Sequence, residues 1–353
     1  MGRNNQSLNI DHSSNVNSVA DIIAGIESRV TSGAADEFTP IKTGFADLDF
    51  TIGGGLRVGQ LVLISGHAGV GKTSLAMQMG RNMAASGSAV CLFVCYEHET
   101  DYLTQRLISM ESVQTGDGTP SDGLRLRDIA DLVEKYKIEH RDRQSFIHAV
   151  ASDARGRTAL ERISRYGHNF LLMKGSSYNT TLDVLTNKIR ALRAPGGPAH
   201  DKPLILFLDY LQKIPTESSH VDEEARNAEQ IEGLKELALD QDIAVVVIVA
   251  AQTEGLKAQR LKLEHLLASP LIAYEADLIM IMNEKFDIVD RQYMEYNKHA
   301  AQQFHQYVIL SMEKNRMGSD LVDLELKKQL QFCHFRPEAR HVKERLIAGR
   351  ERE

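Results

Sequence analysis

Between residues 61 and 84 the chain reads LVLISGHAGVGKTSLAMQMGRNMA. An apolar strand-like run, a glycine-rich loop and a helix-forming run follow one another without a break. Gly66, Gly71, Lys72 and Thr73 fit G-x-x-x-x-G-K-S/T in the strand-loop-helix setting that this spacing needs. A chance Lys-Thr after a glycine turn would lack those flanks. The glycines let the backbone of Gly66, His67, Ala68, Gly69, Val70, Gly71, Lys72, Thr73 and Ser74 curl so that N–H groups face phosphate oxygens, and the helix start adds positive dipole. Lys72 is placed to reach β and γ phosphates, and the Thr73 hydroxyl to ligate Mg²⁺. The expected ligand is ATP with Mg²⁺.

A loop of this kind demands an α/β domain. Apolar runs recur at 89–96, 203–211, 243–251, 276–282 and 306–312, alternating with helical stretches. Near-continuous β-branched runs predict strands buried on both faces, hence a mostly parallel sheet covered by helices on both faces. One domain from about 40 to 335 is expected. Residues 113–168 carry many charges and read as a helical excursion, and 215–230 as an acidic loop. Residues 336–353 read as a charged tail ending in a frayed helix, and 1–17, rich in Asn and Ser, as a disordered tail. Within 18–39, Val19, Ile22, Ile23, Ile26 and Val30 recur at helical spacing before a polar connector. This short helix either packs on its own domain or docks on another subunit.

Composition excludes several classes. Lys and Arg number 41 against 48 Asp and Glu, a net charge of −7. The chain is not coated in basic charge, although a local basic groove remains open. Three cysteines, Cys91, Cys95 and Cys333, make no disulfide framework, and the first two fall in a core-like run. Thirteen histidines lack zinc-ligand spacing. No apolar run has transmembrane length and the start has no signal core, so a soluble cytoplasmic protein without a membrane partner is expected.

A phosphate loop needs a carboxylate near its metal. Asp209 ends the run ILFLD, where a strand tip would turn it toward the cleft to hold Mg²⁺. The next residue is Tyr210, so a base for the attacking water must come from elsewhere. Glu97 and Glu99 follow the run at 89–96, and Glu97 lies nearer its end; position alone allows surface charge equally well. Gln252, ending VVVIVAAQ, suits a γ-phosphate sensor or a turn cap. Lys314 and Arg316, read as lying beyond the strand tip in MEKNRMGS, suit either a finger acting on a neighbour's ATP or a solvated basic turn.

Together these pieces resemble the ATPase domain of the DnaB-type hexameric replicative helicases, within the RecA-like superfamily. TGFADLD and GGGLRVGQLVLISGHAGVGKTSLA look like that family's lead-in and phosphate loop. YEHETDYLTQRLISMES is similar to its segment with the catalytic glutamate, which maps to Glu97. LDYLQKI looks like its metal-binding motif at Asp209, AAQ loosely matches its glutamine sensor at Gln252, and MEKNRMG resembles its Lys-x-Arg pair at Lys314 and Arg316. The resemblance covers roughly residues 40–335. It implies a RecA-like core preceded by a short linker helix, an ATP- and Mg²⁺-dependent motor, a homo-oligomeric and hexameric ring, and translocation on single-stranded DNA.

Three departures stand out. About 40 residues precede the domain, so the family's N-terminal collar domain is expected to be missing. Where the family's DNA-contacting loop carries an arginine, this chain reads Leu267, Ala268, Ser269 and Pro270. The acidic stretch at 215–230 is a poor partner for a polyanion. Lys257, Arg260 and Lys262, with Leu256, Leu261 and Leu263, fit either a replacement DNA contact or one face of a short helix. The alternative function is a RecA- or KaiC-like ATPase that assembles or remodels a protein partner without unwinding DNA. A third is a degenerate ring that binds ATP mainly as a structural or regulatory ligand; the intact motifs weigh against it.

Overall fold

The computed structural model describes residues 17–31, 39–113, 122–140, 144–216, 222–252, 255, 257–266, 270–289, 302–344, 346 and 347. The chain divides into two units, Met1–Thr39 and Pro40–Glu353. Within the first, α1 (Val19–Thr31) buries no residue and exposes Val19, Ile22, Ile23 and Val30. Of residues 1–17, expected to be a disordered tail, 1–16 lie outside the described residues.

The second unit is built on β1 (Leu61–Gly66), β2 (Val90–Cys95), β3 (Phe170–Lys174), β4 (Leu204–Asp209), β5 (Ala244–Val249), β6 (Leu278–Glu284), β7 (Tyr307–Asn315), β8 (Asp323–Gln329) and β9 (His334–His341). They form one sheet in the order β3-β2-β4-β5-β1-β6-β7-β8-β9. The first six in that order run parallel, and β7, β8 and β9 continue the sheet antiparallel. Its helices are α2 (Ala46–Thr51), α3 (Lys72–Ser86), α4 (Thr100–Glu111), α5 (Leu126–Glu139), α6 (Phe146–Ala151), α7 (Ala154–Tyr166), α8 (Leu182–Arg193), α9 (Glu223–Asp240), α10 (Pro270–Glu275) and α11 (Lys285–Ile288).

Successive strand residues point to opposite faces, and here both faces are apolar. Val62, Ile64, Cys91 and Phe93 pack with Leu75 and Met79 of α3 and Leu103 and Leu107 of α4. Leu61, Leu63, Val90 and Leu92 pack on the other face with Leu185 and Ile189 of α8 and Leu234 of α9. The lead-in is locked by Asp49, which accepts hydrogen bonds from the Thr43 N–H and hydroxyl, each at 2.7 Å, and from the Gly44 N–H at 3.2 Å. Asn82 of α3 donates to the Thr43 carbonyl at 2.9 Å. Gly44 has φ +82°, and a Cβ there would lie 2.4 Å from Asn82. Only glycine lets the lead-in approach α3 so closely.

Two sequence expectations are corrected. The acidic loop at 215–230 is a loop only in part, because α9 starts at Glu223. Asp222 caps it through the Glu224 N–H, 3.1 Å, and the acidic first turn complements the helix dipole. The tail expected from 336 begins inside β9. Gln78 of α3 clamps that strand, donating to the Phe335 carbonyl and accepting from its N–H, each at 2.7 Å. The strands β8 and β9 escape a search for apolar runs because polar residues interrupt them, and β3 because its apolar run, FLLM, is only four residues long. Within 113–168, α5, α6 and α7 stack around Ile108, Leu124, Ile129, Val150 and Ala159.

Candidate active site

The loop from Gly66 to Gly71 joins the C-terminal end of β1 to α3. Gly71 caps α3 with φ +105°, and a Cβ there would lie 2.7 Å from Phe335 and 2.8 Å from Leu330. Above the loop lies a cleft of about 510 Å³, lined among others by Gly66, Ala68, Gly69, Lys72, Thr73, Ser74, Glu97, Arg106, Asp209, Tyr210 and Leu330. Lys72 curls over the loop, its Nζ donating to the carbonyls of Gly66 and His67, both at 2.9 Å. Burial pushes its pKa down, opposed by the charges of Asp209 and Glu97.

Asp209 sits at the tip of β4, two strands from β1, and accepts a 2.8 Å hydrogen bond from the Thr73 hydroxyl. Burial raises its pKa, with Glu97 adding to the rise and Thr73 and Arg106 opposing it. The parallel register places Cys95 opposite Asp209, so Glu97 emerges beside it. Glu97 is exposed on the cleft wall. Lys72, Thr73, Asp209 and Glu97 therefore meet around one cavity.

Gln252 follows β5, and its N–H donates to the His265 carbonyl at 3.0 Å. The residues of β5's end that line the cleft are Ile248, Ala250 and Ala251. Gln212, missed by sequence reasoning, bridges this tip to β4: its Oε1 accepts from the Ala250 N–H at 3.2 Å and its Nε2 donates to the Ala250 carbonyl at 3.4 Å. Arg106 was missed as well. It donates to the Ser74 hydroxyl at 2.9 Å and reaches over the Tyr102 ring at 5.8 Å. Its signal was an arginine set between Leu103 and Leu107, both buried, on the inner side of an amphipathic helix.

Lys314 and Arg316 stand at the other end of the sheet. In the antiparallel β6–β7 pair, Lys314 is opposite Ile279, whereas Gly66 of the loop is level with Met282. That is about 10 Å further along at 3.3 Å per residue. Lys314 lies inside β7 rather than beyond its tip, because β7 continues to Asn315. Arg316 Nη1 donates to Asp277 at 2.9 Å and Nη2 to the Tyr274 carbonyl.

Arg260 is corrected as a DNA contact. It is 5% exposed and pairs with Asp323 at 2.9 Å, because it packs under β7 and β8 with Ser311. Lys257 is exposed and Lys262 half-buried. Leu256 and the stretch 267–269 lie outside the described residues. No described group of three or more His, Cys, Asp or Glu residues could hold a metal ion. No described helix is long and apolar enough to cross a membrane.

The sequence model of the DnaB-like helicase C terminal domain matches residues 40–336. The chain belongs to this family. A probable plasmid replicative DNA helicase of Chlamydia trachomatis serovar L2 is 25% identical over 277 residues, 75% of this chain and 52% of that protein. The replicative DNA helicase DnaB of Treponema pallidum is 26% identical over 326 residues, 90% of this chain and 60% of that protein. The chain thus spans little more than half the length of these relatives. Among solved structures, the ATPase domain of G40P aligns with a TM-score of 0.66 at 20% identity, covering 91% of this chain and 99% of that one. A DnaB-like replicative helicase, solved in a study of its interactions with primase, aligns at 0.63 and 19%, covering 91% and 67%. Both share the RecA-like fold with this DnaB-like domain.

Proposed function

We propose that this DnaB-like chain is the ATP-hydrolysing motor of a cytoplasmic replicative DNA helicase, working as a hexameric ring on single-stranded DNA. The observation that carries the reading is the convergence of Lys72, Thr73, Asp209 and Glu97 on one cleft at the C-terminal ends of parallel strands. A hydroxyl and a carboxylate oxygen 2.8 Å apart form a hard-donor pair suited to Mg²⁺, which takes few protein ligands and completes its shell with phosphates and water. When bound, Mg²⁺ supplies neutralising charge between the β and γ phosphates.

The backbone N–H groups of residues 66–74 cradle the phosphates of ATP. Lys72 leaves the Gly66 and His67 carbonyls to meet the β and γ phosphates, exchanging neutral acceptors for charged ones. Glu97 accepts the proton of the attacking water. Gln252, or Gln212 at the adjoining tip, senses the γ-phosphate through β5. Lys314 and Arg316 cannot reach this chain's own loop and act on the ATP of the next subunit. Lys257 and Lys262 supply cations toward DNA, multiplied by the ring's symmetry.

The test is the ATPase rate with and without single-stranded DNA over a range of salt, together with unwinding of a forked duplex. DNA stimulation that weakens with salt is expected. An ATPase indifferent to DNA would instead favour the reading as a remodeller of a protein partner.

A further inference from the structure

We propose that Asp277 is the positioning residue that sets Arg316, and with it Lys314, for the neighbouring site, and that it does so while bonded to Leu61, the first residue of the strand leading to this chain's own phosphate loop. The proposal rests on the reading of these cations as acting on the next subunit, and adds to it the group that aims them.

Asp277 is 8% exposed and joins three elements. Its Oδ2 accepts from the Leu61 N–H at 2.8 Å and from Lys235 Nζ of α9 at 2.7 Å. Its Oδ1 accepts from Arg316 Nη1 at 2.9 Å, and its carbonyl accepts the Arg316 N–H at 3.0 Å. Main chain and side chain of Arg316 are thus both tied to one residue. Lys314 is held beside it by the last carbonyls of α10, Ala273 at 2.5 Å and Tyr274 at 3.1 Å. Those carbonyls lack helical partners and carry the negative end of the helix dipole, so they suit an ammonium.

The guanidinium is nonetheless about half exposed, with a side-chain exposure of 47%. One edge is fixed and the rest faces outward. A long cation that is already ordered loses little freedom when it meets a phosphate. The anchor is also mechanical. Leu61 opens β1 and Gly66 closes it, and the four residues between them pair with both β5 and β6. A shift of the loop when its own site fills is carried along β1 to the carboxylate that aims Arg316 at the neighbour.

The experiment measures steady-state ATP hydrolysis and binding of a fluorescent ADP by the full chain, for Asp277→Asn, Asp277→Glu, Arg316→Ala, Lys72→Ala and their mixtures. In Asp277→Asn, kcat should fall tenfold to a hundredfold, on the order expected for a misplaced catalytic group. KM and fluorescent-ADP affinity should stay within about twofold, since the chain's own loop is intact. Lys72→Ala subunits carry an intact Arg316 and should revive Asp277→Asn as they revive Arg316→Ala. Asp277→Glu keeps the charge but displaces it by a methylene. It should show a smaller kcat loss, the same unchanged KM and the same revival, and it carries the test if Asp277→Asn fails to fold. Wild-type turnover in the aspartate variants overturns the proposal. So does continued inactivity at every mixing ratio that revives Arg316→Ala. If Lys72→Ala fails to revive Arg316→Ala itself, the trans reading falls and the proposal with it.

Discussion

The Thr73 hydroxyl donates a 2.8 Å hydrogen bond to Asp209, joining the first turn of the loop helix to the tip of a strand two places away. Asp209 is 2% exposed, and this bond is the interaction that most opposes the rise that burial imposes on its pKa. On the proposed reading, removing the hydroxyl takes away both an oxygen that would hold Mg²⁺ and the partner that orients Asp209. Thr73→Ala should therefore lower kcat/KM on the order of a hundredfold, the cost of losing one positioned electrostatic group. It should also raise the Mg²⁺ concentration needed for half-maximal rate. A Mg²⁺ titration that superimposes on wild type would remove Thr73 from the metal.

Glu97 is exposed on the cleft wall while Asp209 beside it is buried. A group that moves a proton needs access to the water it activates; a group that holds a metal needs to stay ionised and fixed. Glu97→Gln should retain nucleotide binding and lose hydrolysis by about a hundredfold or more, within the range for a general base. Fluorescent-nucleotide binding and single-turnover hydrolysis separate the two effects. Unchanged single-turnover rates would place the base elsewhere.

How much of this was legible beforehand depends on the kind of signal. Lys72 and Thr73 announce themselves because loop chemistry is contiguous in sequence. Six strands were legible because burial on both faces leaves an unbroken apolar run, as in AVVVIV of β5. β9 was not, since HFRPEARH is held partly by Gln78, 257 residues away. Arg260 misled for the same reason: its partner Asp323 is 63 residues further on, and a loop cation and a buried ion-pair partner look alike in one dimension. Arg106 was readable only as an arginine out of place between buried leucines.

Arg106 holds the Ser74 hydroxyl at 2.9 Å, while its own Nε is buried without a hydrogen-bond partner. That fixed charge borders the cleft next to Thr73 and lowers the cost of ionising Asp209. Arg106→Met preserves most of the apolar stem and removes the charge. It should cut kcat on the order of tenfold while costing about 1 kcal/mol or less of stability, as one hydrogen bond is lost and an unsatisfied donor disappears with it. Urea unfolding beside steady-state kinetics checks both. A large stability loss with normal kcat per folded enzyme would make Arg106 a packing residue only.

Arg260 and Lys257 should now part company. Arg260→Ala leaves Asp323 without its guanidinium and should cost about 2–4 kcal/mol, toward the range for breaking a buried pair, because Asp323 keeps the Ser311 hydroxyl at 2.6 Å. Lys257→Ala should leave stability within about 0.5 kcal/mol. If the lysine touches phosphate, the substitution reduces the salt slope of single-stranded DNA binding by about one unit or less per contact. Binding measured across salt, with unfolding measured alongside, distinguishes them. An unchanged slope in Lys257→Ala would take that loop off the DNA.

His334 opens β9 at 8% exposure, with Arg81 and Arg336 near it on one side of the charge balance and Glu111 on the other. Burial first, then Arg81, pushes its pKa down to about 4 from 6.5. A histidine with a depressed folded value binds its proton more readily when unfolded. Its contribution to stability is therefore complete above pH 6.5 and is lost as pH falls toward 4, up to about 3 kcal/mol at 1.36 kcal/mol per unit. His334→Gln removes the titration and keeps a polar group opposite Gln329, which the ring contacts at 3.2 Å. Unfolding free energies at pH 7 and pH 4.5 should then fall less in the variant than in wild type. Equal falls would mean that other groups carry the difference in bound protons between the folded and unfolded chain, and would take the buried ring of His334 out of the acid limit of the domain.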